Sequence, residues 1–183
     1  MAIPFRIAGI AVLLAGCIAA RLGAQARAGE MDEYQVKAGF VSGFASFVEW
    51  PHSVFSGPID PLAICVLGAS PFGPSLDSMA SGRIVEGRAL IVRQIPDVRH
   101  AGGCHILFIS SSEHLRLRAI LQWLQDLSVF SVGDTSDFIA EGGIVSLRVE
   151  NGRVRIDINA EAAQARHLRV SSRLLQLARI VKR

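Results

Sequence analysis

What the chain lacks narrows it first. No Cys-x-x-Cys pair occurs, so the spaced cysteines of the usual structural zinc site are missing. There is no G-x-x-x-x-G-K-[S/T] loop, no G-x-G-x-x-G fingerprint and no G-x-S-x-G elbow. "GASPFG", at 68–73, is neither of the first two. Paired carboxylates at helical or strand spacing do not converge on one another. Charge is scarce at 19%, while 50% of the residues are hydrophobic, which excludes extensive disorder. No internal repeat, linker or low-complexity run interrupts the 183 residues, and that length suits one domain behind a short leader.

The leader is residues 1–26. Arg6 precedes the apolar run "IAGIAVLLAG", which is too short and too rich in Gly and Ala for a comfortable span. "AQA" at 24–26 has the A-x-A form of an export cleavage site, and "LAGC" at 14–17 has the form of a lipobox with Cys17 as the acylated residue. The expectation is an exported, periplasmic protein, with a lipid anchor on Cys17 as the alternative. Removal of the leader leaves 17 basic against 16 acidic residues, so the whole-chain pI is no argument for nucleic acid. Two cysteines then remain, Cys65 and Cys104. In an oxidising compartment an even pair reads as a disulfide; two buried free thiols are the alternative.

Periodicity places the elements. Val36, Phe40, Phe44 and Val48 recur every fourth residue, which predicts an amphipathic core helix ending at Trp50-Pro51, with Asp32 and Gln35 as its capping box and Lys37 off the apolar stripe. "PLAICVLG", "GRALIVRQI", "CHILFIS" and "VFSVGD" read as strands. A short helix is expected at "SPFGPSLDSMA" and a helical turn ended by glycines at "SDFIAEGG", and Ser110 with Glu113 caps a helix burying Leu117, Ile120, Leu121 and Leu124. Asn151-Gly152 turns a hairpin that pairs Val149 with Val154, Leu147 with Ile156 and Val145 with Ile158. In this register Arg148, Arg155 and Asp157 point to water. "AEAAQARHL" and "SSRLLQLARIV" read as two closing helices, the last with Leu174, Leu175, Leu177, Ala178 and Val181 on its apolar face. The fold class is α/β: a mixed sheet, with parallel early strands and a C-terminal antiparallel β-hairpin, flanked by helices on both faces.

Two surfaces invite function. Three strands end in polar loops, and a crevice at strand carboxyl ends is the usual ligand site of such sheets. Ser70, Ser111, Asp134 and Thr135 are its candidates. Trp50, Pro51 and Phe55 form a sharp apolar turn that either anchors in the core or meets a partner. Catalysis finds no support. Cys104 and His105 are adjacent, so in a strand they face opposite ways, and Cys65, Cys104 and His105 lack metal spacing. His52, His100, His114 and His167 are scattered surface residues. The basic tail of the last helix is too small to hold a membrane alone.

Taken in order, "YQVKAGFVSGFASFVEWP", "PLAICVLGASPFG", "GRALIVRQI", "CHILFISSSE", "SVGDTSDFIAEGGIVSLRVENGRVRIDIN" and "SSRLLQLARIV" resemble the YfiR-like family of small exported proteins across nearly all of 31–183. The resemblance implies an α/β domain with no cofactor and no catalytic site. It implies a bridge between Cys65 and Cys104; the second cysteine pair of some relatives is absent here. It also implies protein partners. These are the periplasmic part of an inner-membrane diguanylate cyclase or sensor kinase, which the protein would repress, and an outer-membrane lipoprotein that would sequester it. Such a protein would lower cyclic-di-GMP, and it could pair as a homodimer. A periplasmic small-molecule sensor using the strand-end crevice is the alternative.

Overall fold

The computed structural model describes residues 33–182. The leader, Cys17 and the Asp32 cap lie outside them. The first helix, α1, runs over 33–44. Beyond it come β1 (Val48–Glu49), β2 (Leu62–Leu67), α2 (Ser75–Ala80), β3 (Ile84–Val85), β4 (Arg88–Ile95) and β5 (Ile106–Ile109). The second half holds α3 (Leu117–Trp123), β6 (Phe130–Gly133), β7 (Val145–Glu150), β8 (Arg153–Ile158), α4 (Ala160–Ala165), β9 (Arg169–Val170), α5 (Ser172–Leu177) and β10 (Arg179–Ile180).

Eight strands form one mixed sheet in the order β10-β8-β7-β6-β5-β2-β4-β3. Strands β4, β2, β5, β6 and β7 run parallel, and β7 and β8 form the antiparallel hairpin. The central strands are buried on both sides; in β2 all six residues of "LAICVL" are. That explains a continuous apolar run rather than alternation. One face packs Ala63, Cys65, Leu67, Leu107 and Ile109 against Leu117, Ile120, Leu121 and Leu124, the α3 stripe expected from its spacing. On the other face Phe44 of α1 meets Phe130 edge-on with centroids 5.6 Å apart, and Phe72 meets Phe108 at 4.6 Å.

The bridge joins Cys65 in β2 to Cys104, which leads into β5, with a Cα–Cα distance of 5.7 Å. It is buried among the α3-face core residues. Its sequence separation is 39, and the chain-entropy model assigns a loop of that size about 4 kcal/mol. The hairpin register is the one the alternation predicts: Val149 faces Val154, Leu147 faces Ile156 and Val145 faces Ile158.

Three expectations fail locally. Helix α1 stops at 44, six residues before Trp50, because 48–49 leave as β1 and pair with β9 far along the chain, Val48 facing Val170. Its buried face is Ala38, Val41, Phe44 and Ala45 together with Lys37 and Ser42, while Val36 is 46% exposed. Segment 135–142 is the expected turn ended by glycines, its Glu141 amide donating to the Asp137 carbonyl at 2.9 Å, and Phe138 plunges from it into the core. A Cβ at Gly133 or Gly143 would collide with its ring, which is why glycine stands on both sides. The last segment divides into α5 and β10. Arg179 and Ile180 add a parallel strand beside β8, leaving Leu174 buried and Leu177 72% exposed.

Candidate functional site

The parallel strands give the sheet two chemically different ends. At the carboxyl ends of β2, β5 and β6 lie Ser70, Ser111, Asp134 and Thr135. Ser70 and Ser111 are exposed and make no hydrogen bond that ties the two loops together. The link is made by Ser112, whose hydroxyl accepts from the Ala69 amide at 2.9 Å. The loops approach so closely that a Cβ on Gly68, whose φ is +86°, would sit 2.5 Å from the Ser112 hydroxyl.

Asp134 turns inward. Its carboxylate receives the Lys37 ammonium at 2.9 Å, and both side chains are about 95% buried. Lys37, expected on the wet side of α1, is therefore part of this end of the sheet. An amphipathic stripe cannot reveal this, because the partner is 97 residues away. The Thr135 hydroxyl is buried without a hydrogen-bond partner, and the Thr135 carbonyl accepts from Ser146 at 3.4 Å. Next to these residues, Ser136, Ser146, Arg148, Asp157, Arg179 and Lys182 line a cavity of about 630 Å³. Asp157 points inward instead of to water. It accepts from Arg148 at 2.9 Å and from both Nε and Nη2 of Arg179, at 2.9 and 2.7 Å. The arrival of β10 beside β8 supplies the second arginine.

The amino ends of β2, β4 and β5 are capped by the loop 50–60. Its centre is His105, 7% exposed, whose Nδ1 accepts from the Ala63 amide at 3.1 Å. Phe55 stacks on the imidazole at 4.6 Å with 18° between planes. The Arg88 guanidinium covers the far side of Phe55, 3.6 Å from its centroid, and donates to the carbonyls of Gly57 and Asp60 at 2.9 and 2.8 Å. Trp50 stands edge-on at 5.8 Å and donates its indole N–H to the His105 carbonyl at 3.2 Å. His105 Nε2 is buried with no hydrogen-bond partner. Desolvation, helped by the positive charges of Arg88 and Arg93 and opposed by Asp60, pushes its pKa down to about 4. The imidazole is thus neutral at pH 7 and acts as an aromatic plate. Trp50, Pro51 and Phe55 are half-buried here, with His52, Ser53 and Val54 exposed between them.

The structure therefore brings Trp50 and Phe55 together on His105, a residue that spacing alone placed outside any site. It keeps Ser70 and Ser111 apart from the Lys37–Asp134 pair. Cys104 and His105 do point to opposite sides, the sulfur into the bridge and the ring onto Phe55. Among the described residues no group of three His, Cys, Asp or Glu side chains is placed to hold a metal ion, and no helix is long and apolar enough to cross a membrane.

A family model described as YfiR/HmsC-like matches residues 34–179. No curated protein matches. Among solved structures, the ABC domain from Streptococcus pneumonia in complex with L-Trp superposes with a TM-score of 0.50 at 10% identity, over 66% of this chain and 55% of that one. A conserved domain protein from Vibrio cholerae O1 biovar El Tor does so with a TM-score of 0.50 at 12% identity, over 66% and 54%. The chain spans about half the length of these two proteins, and at such identity the likeness is one of α/β fold alone. The family match covers most of the chain: the protein belongs to the YfiR/HmsC-like family.

Proposed function

We propose that this protein is a non-enzymatic periplasmic regulator. It binds the periplasmic part of an inner-membrane signalling protein, a diguanylate cyclase, and lowers cyclic-di-GMP synthesis. The observation that carries the reading is family membership across 34–179. A buried disulfide suits an oxidising compartment, and it occupies the two cysteine sulfurs of the described residues.

The contact surface in this reading is the knuckle at 50–55. Trp50 and Phe55 are held from behind by His105 and Arg88, which presents Pro51 and the exposed Val54 on a stiff base. A surface ordered before binding loses less side-chain freedom on association. A photo-crosslinking residue in place of Val54 tests this. It should trap an inner-membrane protein in intact cells. Trapping of soluble proteins only, or of none, sinks the reading. Val54→Asp should abolish the crosslinked partner's co-purification and leave the unfolding midpoint unchanged.

A second reading, a small-molecule sensor at the strand-end crevice, draws on the buried Thr135 hydroxyl beside the 630 Å³ cavity. A ligand there would raise thermal stability by mass action. A broad metabolite screen that shifts wild type and Thr135→Val equally would remove it.

A further inference from the structure

Among the described residues, five charged or titratable side chains are more than nine-tenths buried: Lys37, His105, Asp134, Asp157 and Arg166. Lys37 has Asp134, Asp157 has two arginines, and His105 is held neutral. Arg166 differs. It is 5% exposed, and among the described residues no carboxylate lies within ion-pair distance of it. Its Nη1 donates to the Ser131 hydroxyl at 2.9 Å and its Nη2 to the Gly142 carbonyl at 3.1 Å. Both partners are neutral. A guanidinium has five N–H donors, so three are left.

A buried cation without a counter-ion is costly, and buried charges in proteins are ordinarily paired. Burial alone lowers the Arg166 pKa, to about 10, and no neighbouring carboxylate offsets it. The group nevertheless stays charged at neutral pH, because about 10 is still far above 7.

Arg166 also lines a cavity of about 380 Å³ between α3 and α4. That volume is in the range of small-ligand sites. Leu121, Ala162 and Ala165 give the cavity an apolar wall. Gln125 and Asn159 give it amides; Asn159 uses its oxygen to cap α4 at 2.9 Å and keeps its NH₂ for other use. The two acids at the cavity are already engaged. Glu141 takes both Arg118 nitrogens at 2.7 and 2.8 Å, and Glu161 faces Lys182 at 3.8 Å. What is left inside is one uncompensated positive charge, amide donors and an apolar wall. Leu121, Gln125, Asn159, Ala162, Ala165 and Arg166 belong neither to the knuckle at 50–55 nor to the strand-end loops; Glu141 sits at the far end of the loop after β6.

We propose that the cavity between α3 and α4 is a binding site for a small monocarboxylate with an apolar body, whose carboxylate pairs with Arg166 and whose hydrocarbon lies on Leu121, Ala162 and Ala165. A single fixed cation matches a single negative charge, and the guanidinium fork fits the two oxygens of a carboxylate. The site goes beyond the regulator reading and does not depend on it.

The test uses the full mature chain in its oxidised form. The probes are the linear carboxylates acetate to hexanoate, the neutral amide butyramide, and inorganic phosphate. Binding is read by NMR shifts and by thermal unfolding. Butyrate should perturb the Arg166 side chain and the Gly142 and Asn159 amides saturably and raise the unfolding midpoint. Affinity should increase at least several-fold from acetate to butyrate. Butyramide should bind at least tenfold more weakly. Arg166→Gln keeps a donor for Ser131 but no charge, and should lose butyrate binding at least tenfold while remaining folded. Should that variant unfold, Asn159→Ser and Ala162→Phe, which narrows the cavity, provide the same reading through the loss of binding alone. No saturable shift with any carboxylate, equal binding of butyrate and butyramide, or phosphate bound in preference to butyrate would each overturn the proposal.

Discussion

The two ends of the parallel sheet solve the same problem with opposite chemistry. At the carboxyl end, polar loops are held by charge: Lys37 on Asp134, and Arg148 with Arg179 on Asp157. At the amino end, a loop of similar exposure is held by rings: Trp50 and Phe55 on a neutral His105, with Arg88 laid over Phe55. Buried ion pairs fix geometry but tolerate loss of one partner badly. Stacked rings give a stiff apolar surface that can meet another protein. In the proposed reading the aromatic end is the one that makes contact.

Removing one member of the charged end is the strongest way to break the contrast. Asp134→Ala takes the carboxylate from a Lys37 that is 3% exposed and should cost about 3–5 kcal/mol in urea unfolding. The double change Lys37→Met with Asp134→Leu should recover most of it. If the single change costs under about 1 kcal/mol, charge does not hold this end. The bridge comes next. Cys65→Ala with Cys104→Ala should lose about 2–5 kcal/mol, and the loss should match that produced by reducing the native protein.

The aromatic end responds to acid. His105 ionises at about 4 in the folded chain against 6.5 for the free side chain. The unfolded chain therefore takes up its proton first as pH falls. The contribution of a neutral His105 is complete above pH 6.5, shrinks between 6.5 and 4, and is gone below that. The whole window is worth about 3 kcal/mol. Denaturation of wild type and His105→Gln at pH 7 and pH 4.5 checks the sign: the variant should lose less on acidification. A wild-type loss no larger than the variant's would mean the imidazole is already protonated when folded. The smallest effect belongs to the exposed Glu49–Arg169 pair, 3.7 Å apart between β1 and β9. Glu49→Ala should change stability by less than about 1 kcal/mol.

The contrast was half legible before any coordinates. The central strands, the α3 stripe, the hairpin register and the Cys65–Cys104 pairing all follow from local signals: apolar runs, 3.6-residue spacing, an Asn-Gly turn, an even cysteine count. What local pattern cannot carry is a partner far along the chain. Lys37 reads as a wet-face lysine until Asp134 is folded over it. Asp157 alternates outward until Arg179 arrives as β10. Trp50 reads as the end of a helix until β9 draws Val48 and Glu49 into a strand. His105 reads only as a strand residue facing away from Cys104, because its neighbours Phe55 and Arg88 come from two other segments. Arg166, in an alanine-rich turn of helix, gives no hint that its guanidinium reaches Ser131 beneath it.

The central claim is that the folded, oxidised chain acts by contact on a membrane enzyme that makes cyclic-di-GMP. Its most direct test is the cellular level of that nucleotide in a strain deleted for this protein and complemented with the wild-type chain or with Val54→Asp. Deletion should raise the nucleotide, wild type should restore it, and the Val54 variant should not. An unchanged level on deletion would contradict the claim outright.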